Sequence, residues 1–331
     1  MALKTVSTNL ADIGLPADWT LEEGITQSLL SSYLCCPFKG LLKFNRWQHA
    51  SKKTATRFGS GFHEILDIAY TRQRALKPNE LEVALAKYID ASKDYTSKET
   101  EQKEEDKALL HAVLRCYFVR YSSDFVKKNF KHVEKSWEVP FEMSTLRGKV
   151  DGEFIDKKNK IWLMEHKTKS RIDEETLMLK LAFDFQNLMY ITMYERATGN
   201  TVRGTLYNVI RKPGLRRKAA ETLKSFADRV AVDVTERPEH YFKRMEVVYS
   251  QRDKKLFVDE LSVILNELRT RLTCGVKSFY RNRFACELPY KCEYLPACAA
   301  GHLGGYEQGD TLFPELPEVA AKKKLPKKRK R

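Results

Sequence analysis

The sequence predicts a mixed α/β (α+β) fold, a central mixed sheet of about four or five strands flanked by helices. Three observations carry this. Phe58, Phe62, Ile65, Leu66 and Ala69 recur at helical spacing and make one apolar face. Between residues 133 and 169 the segments VEKSWEVPFEM, RGKVDGEFID and KIWLMEHKTK are rich in β-branched and aromatic residues and separated by turn-like stretches, as the strands of a meander are. Further on, Phe257, Leu261, Ile264, Leu265, Leu268 and Leu272 stripe a long amphipathic helix.

The remaining elements fall into place around these. Residues 1–27 show weak periodicity and read as an amino-terminal arm. A short helix over 27–44 is broken near Pro37. In the helix that starts near Phe58, His63, Asp67 and Tyr70 fall on the face opposite the apolar one. Residues from about 77 to 130 read as a helical insert, with the charge-dense stretch SKETEQKEED separating its helical patterns. DKKNK is the turn between the second and third strands. A helix over 174–197 follows, then a strand, VRGTLYNVI, from Val202, a basic loop, KPGLRRKAAE, and another strand, YFKRMEVVYS. The long amphipathic helix delivers the chain to a cysteine-rich stretch over 286–298. Residues 301–331 form an extension with a Pro-containing basic tail expected to be disordered.

Composition bounds the function. Hydrophobic residues make up 42% of the 331 and charged residues 31%, a globular balance. No apolar run approaches the roughly 20 residues of a membrane span. The amino terminus lacks the continuous apolar segment of a secretory signal, so a cytoplasmic location is expected, in a bacterial or phage-infected cell. In that reducing compartment seven cysteines are buried hydrophobes, reactive thiols or metal ligands rather than structural disulfides. Net charge is +15, and eight of the last ten residues are Lys or Arg, which leaves +7 for the body. Such an excess favours a polyanionic partner, nucleic acid first, because displaced counterions supply binding energy whatever the sequence.

Strand alternation puts Glu165 and Lys167 of MEHKTK on one face and Met164 and His166 on the other. If the preceding strand pairs with this one, Asp151 of GKVDGEF sits beside Glu165. Two hard oxygen ligands then suit Mg²⁺ or Mn²⁺, and the backbone carbonyl of His166 can add a third. Such a cation polarises a phosphodiester and lowers the pKa of a bound water, which Lys167 would orient. Glu153, on the same face as Asp151, competes for the ligand role.

These segments occur in an order of their own: Gly59 to His63, Gly148 to Asp151, Glu165 to Lys167, and Gln186 to Tyr190 one helical turn apart. In this the chain resembles the RecB-like branch of the PD-(D/E)XK nucleases, with their G-x(3)-H, G-x-x-D, E-x-K and Q-x(3)-Y elements. The resemblance implies a restriction-endonuclease-like core and a metal-dependent deoxyribonuclease. It implies that His63, Asp151 and Glu165 bind the catalytic metal, that Lys167 assists the attacking water, and that Gln186 and Tyr190 position substrate or the lysine. The substrate it implies is DNA, single-stranded or at ends, handled as an exonuclease in recombination, repair or phage DNA metabolism, beside a recombination, helicase or integrase partner.

Cys286, Cys292 and Cys298 have five residues between successive thiols and can converge on one centre. Spacing alone leaves zinc and iron–sulfur both open. The stretch SLLSSYLCCPFKG, through Ser28, Leu30, Tyr33, Cys36 and Pro37, resembles the S-x-L-x(2)-Y-x(2)-C-P opening of iron–sulfur members of the same group, the CRISPR-adaptation and AddB-type exonucleases. That resemblance implies a four-iron, four-sulfur (4Fe-4S) cluster on Cys36, Cys286, Cys292 and Cys298, clamping the carboxy-terminal segment and making 28–300 a single domain. Cys35 is the substitute for Cys36, while Cys116 and Cys274 read as ordinary thiols. Two other roles stay open: end trimming during CRISPR spacer acquisition, and a non-catalytic iron–sulfur scaffold that binds DNA.

Overall fold

Side-chain caps and a proline set the first helices. In the computed structural model, which describes residues 8–50, 57–90, 97–287, 291–314 and 316, strand β1 (Ile25–Thr26) leads into α1 (Gln27–Cys35) through Thr26, whose hydroxyl accepts from the Leu29 N–H. Pro37 then opens α2 (Pro37–Phe44) at its first turn, the break expected there. Strand β2 (Trp47–His49) is followed by α3 (Arg57–Thr71), α4 (Pro78–Asp90), α5 (Ser97–Arg120) and α6 (Asp124–Lys127). Next come β3 (Asn129–Phe141), β4 (Ser144–Ile155), β5 (Ile161–Lys169), α7 (Glu174–Leu181), α8 (Phe185–Thr198) and β6 (Val202–Arg211). The chain closes through α9 (Leu223–Glu236), α10 (Pro238–Tyr241), β7 (Phe242–Val248), α11 (Gln251–Cys274), α12 (Leu295–Ala300) and β8 (Tyr306–Gln308).

Among the described residues six strands make the central sheet, in the order β1-β4-β5-β6-β7 with β3 also paired to β4. It is mixed: β1–β4 and β5–β6 are parallel, β4–β5 and β6–β7 antiparallel. The mixed sheet with flanking helices is the fold the sequence predicts. Among the described residues no helix is long and apolar enough to cross a membrane.

The chain divides into two compact units, one built from residues 1–52, 136–149 and 251–331, the other from 53–135 and 150–250. In the first, Phe257, Leu261, Leu265 and Leu268 of α11 are buried, and Trp19 stacks on Phe44 at 4.5 Å. Leu10, Ile13 and Leu21 are buried too, so residues 8–24 are tied down by apolar contacts. Tyr33 of α1 is fixed to α11 by Glu267, which accepts from its hydroxyl at 3.1 Å, and by Arg271, which donates to it at 3.0 Å. The basic tail, residues 322–331, lies outside the described residues.

In the second unit α3, α5 and α9 pack their apolar faces, including Phe62, Leu66, Leu110, Leu114, Phe226 and Val230, into one core. Several elements differ from expectation. SKETEQKEED does not separate helices but forms the start of α5, because Glu, Lys and Gln are good helix formers whatever their polarity. The helix expected over 174–197 is two, α7 and α8, since Asp184 caps a new start by accepting from the Asn187 N–H at 2.8 Å. Helix α9 follows the basic loop where the sequence predicts no element. Its Phe226, Ala227, Val230 and Val234 are spaced for one buried face.

Tyr70 is the largest departure. Expected on the polar face of α3, it is 2% exposed, because its hydroxyl finds partners inside: it donates to Asp124 at 3.0 Å and lies 2.8 Å from the Tyr117 hydroxyl. Asp124 also accepts from Arg244 at 2.8 Å. Burial pushes the Asp124 carboxyl up, but the Arg244 guanidinium and the Lys128 ammonium together outweigh it and hold the group below its usual range. Asp124→Asn should therefore cost roughly 3–5 kcal/mol, read from the urea midpoint, as loss of one partner of a buried pair does. Because the folded pKa is depressed, this contribution is complete above about pH 4 and fades as pH falls through the folded value. The gap between wild type and variant should narrow on acidification; a gap below about 1 kcal/mol at neutral pH would show that the pair is dispensable.

Candidate active site

The β4–β5 hairpin sets the centre. Its turn is held by Asp156, whose carboxylate accepts from the N–H groups of Lys158 at 2.8 Å and Lys160 at 2.9 Å and from the Trp162 indole at 3.0 Å. From that turn the register runs Ile155 opposite Ile161 to Gly152 opposite Met164. One step on, the Asp151 carboxylate accepts from the main-chain N–H of His166 at 2.7 Å. Alternation along β5 does what the sequence predicts: Met164 and His166 enter the core, while Glu165 and Lys167 share the other face and form an ion pair.

Glu165 is 3% exposed. Its carboxylate accepts from the Gln186 side chain at 2.8 Å, one residue into α8. Tyr190, a turn later, is held protonated by burial and by the negative charges of Glu165 and Asp151. Of the five residues expected at the catalytic centre, Glu165, Lys167, Gln186 and Tyr190 are thus neighbours. His63 of α3 places its Nδ1 3.5 Å from Asp151.

Glu134 on β3 had no place in the sequence motifs. A carboxylate oxygen of Glu134, a ring nitrogen of His63 and a carboxylate oxygen of Asp151 all lie within 4.8 Å of one another, a donor set able to hold a divalent cation. Glu134 has φ 51°, in the left-handed region that residues other than glycine seldom adopt. Glu153, the expected competitor, is engaged elsewhere: it accepts from the Tyr194 hydroxyl at 2.7 Å and faces His132 at 3.8 Å.

The charges are crowded. Burial, then the negative charge of Asp151, pushes Glu165 up to about 7. Burial opposes ionisation of Asp151, but its neighbours, His63 first and Lys167 among them, together more than compensate and its carboxyl lies well below the usual range. Lys167, desolvated yet beside Glu165 and Asp151, is raised and stays charged. Two carboxylates this close, one reluctant to ionise, make a place where a dication relieves repulsion.

Behind the strand, the His166 ring stacks on Tyr70 with centroids 5.6 Å apart, and its Nδ1 lies 2.8 Å from the amide nitrogen of the fully buried Asn208. Burial lowers the His166 pKa to about 3, so the ring is neutral and Nδ1 accepts from Asn208. His166 is therefore locked, and with it the main-chain N–H that holds Asp151 and the carbonyl expected to face a metal.

The four cysteines expected to act together all belong to the first unit. Cys36 sits between α1 and α2, and its sulfur accepts from the Asn282 N–H at 3.2 Å. The Cys292 N–H donates to the Cys286 carbonyl at 2.7 Å. Burial raises the Cys298 thiol, and among the neighbouring charges that raise it further are Cys292, Cys36 and Cys286. Cys35 meets Asn282 through its carbonyl instead, at 3.0 Å.

Residues 25–299 match the family model of the PD-(D/E)XK nuclease superfamily. The chain belongs to that superfamily. Among curated proteins none matches it. Of solved structures, it is similar to a candidate exonuclease from Eubacterium rectale, at 13% identity and a TM-score of 0.43 over 76% of this chain and 82% of that one. It is also similar to SSO0001, at 12% identity and a TM-score of 0.29 over 75% of this chain and 96% of the other. Both likenesses are too distant to bear on the chemistry.

Glu134→Gln should weaken Mn²⁺ binding roughly tenfold or more in titration calorimetry, as loss of a group that holds or orients a metal does. Binding unchanged from wild type would remove Glu134 from the donor set.

Proposed function

We propose that this chain is a divalent-metal-dependent deoxyribonuclease of the RecB-like branch, an exonuclease that trims single-stranded or resected DNA ends. What carries the reading is the convergence of the His63, Glu134 and Asp151 ligand atoms beside the Glu165–Lys167 pair, in a chain of this superfamily. Hard oxygens and one imidazole fit Mg²⁺ or Mn²⁺. His63, Asp151 and Glu165 would hold it, with the His166 carbonyl and Glu134 as further donors. When bound, such a cation supplies charge to the scissile phosphate and acidity to water.

The chain's own groups do the rest. Lys167, charged at neutral pH, donates to the attacking water or to a phosphate oxygen as negative charge builds there. Gln186 fixes the Glu165 carboxylate by its hydrogen bond. Tyr190, kept protonated, remains a donor beside Lys167. The basic body, +7 without the last ten residues, draws the DNA backbone towards the protein. Asp151→Ala or Lys167→Ala should lower cleavage of end-labelled DNA in Mg²⁺ or Mn²⁺ by roughly 10²–10³ or more while leaving DNA binding largely intact. Product lengths from single- and double-stranded substrates report polarity. Undiminished cleavage by either variant would sink the assignment.

We further read Cys36, Cys286, Cys292 and Cys298 as ligands of a 4Fe-4S cluster, supported by the electrostatic proximity of the other three thiols to Cys298. The cluster would staple the α1–α2 junction to the segment after α11, a structural role suited to a reducing cytoplasm. The purified protein should then be brown, with broad visible absorption that bleaches on oxygen damage, and Cys292→Ser should lose iron. Colourless protein carrying zinc would replace the cluster with a zinc site.

A further inference from the structure

The segment after α11, GVKSFYRNRFACE over 275–287, carries Lys277, Arg281 and Arg283 against one acid, Glu287. Its backbone is firmly pinned. Gly275, at φ 84°, ends α11. Ser278 donates from its hydroxyl to the carbonyls of Arg271 at 2.8 Å and Gly275 at 2.7 Å. Phe279 is 3% exposed, with its ring edge-on to Tyr33. The Phe38 N–H donates to the Tyr280 carbonyl at 3.1 Å. Asn282 donates from its side chain to the Cys35 carbonyl and from its main chain to the Cys36 sulfur.

What this leaves outside is unusual. With Phe279 and Asn282 turned inward as anchors, Tyr280 is 56% exposed, with the Arg271 guanidinium 5.1 Å from its ring, and Phe284 is 93% exposed; of the two exposed arginines between them, Arg281 lies over the Phe38 ring at 4.7 Å, and Arg283 adjoins Phe284. A phenylalanine with almost its whole surface in water gains nothing from folding here. Aromatic faces interleaved with guanidinium groups on a fixed loop match single-stranded DNA, whose bases stack on aromatic rings and whose phosphates pair with arginine. We propose that Tyr280, Arg283 and Phe284 form a stacking surface for single-stranded DNA, with Phe284 taking a base and Arg283 the adjoining phosphate. The inference rests on the DNA reading above, but it concerns binding and not the residues around Asp151.

The test uses the full chain without Mg²⁺ or Mn²⁺, so that binding is read without cleavage. Anisotropy of a labelled oligothymidylate should show Phe284→Ala binding roughly tenfold more weakly than wild type and Phe284→Trp close to it, as loss and retention of a stacked base require. An abasic strand should be held equally by wild type and Phe284→Ala. Arg283→Gln should make the slope of log affinity against log salt shallower by about 0.7, one phosphate's share on a single strand. A 2-aminopurine base in the strand should change its fluorescence on binding wild type and less on binding Phe284→Ala. Equal affinities and slopes for all variants, or an equal loss by Phe284→Ala on the abasic strand, would overturn the surface. If wild type bound no single-stranded DNA even at low salt, the substrate class itself would fail, whatever Phe284 does.

Discussion

One hydrogen bond, from the His166 N–H to the Asp151 carboxylate, fixes how β5 lies against β4 at the point where chemistry is expected. Strand side chains alternate with a period of two, so a slip of one residue would turn Glu165 and Lys167 into the aromatic core and bring Met164 and His166 out. Two devices guard the register from opposite ends. The Asp156 turn indexes the strands at their loop, and the buried contacts of His166 with Tyr70 and Asn208 hold the far end. The core behind the sheet therefore decides the geometry in front of it. The polar chain of Tyr70, Tyr117, Asn208, Asp124 and Arg244 is costly to bury and tolerable only because its members satisfy one another.

Much of this architecture is legible from the residues alone where a period is strong and uninterrupted. The apolar stripe of α11, the face of α3 that begins at Phe58, and the three strands up to Lys169 are all of this kind, and so is the shared face of Glu165 and Lys167. What escaped has physical reasons. Tyr70 looks polar by type, and only its partners at Tyr117 and Asp124, 47 and 54 residues away, explain its burial. The charged run that opens α5 looks like a separator until its partners are known. Glu134 reaches His63 and Asp151 from a strand 17 residues before Asp151 in the chain, with a backbone angle that no spacing rule anticipates.

Charge in the sequence is likewise ambiguous until it is paired. The loop over 212–221 reads as basic, yet Lys212 donates to the buried Asp106 at 3.0 Å and Arg217 to Glu105 at 2.9 Å. Arg229 and Glu221 pair nearby. The acidic start of α5 thus takes up the charge of Lys212 and Arg217, two of the loop's four basic side chains. The more exposed of these pairs add little stability; together they keep the helical insert and the loop in contact.

The cap at Asp184 has a consequence for how the chain can vary in length. An α-helix turns about 100° per residue, and α8 takes its phase from the residue that starts it. Short connections between helices commonly absorb an added or lost residue, because only the path of the chain changes. Here one residue gained or lost between Asp184 and Gln186 would swing Gln186 and Tyr190 around the helix together, away from Glu165. The step from Asp184 to Gln186 thus works as a gear tooth, and its length is as much a part of the site as the side chains that α8 carries.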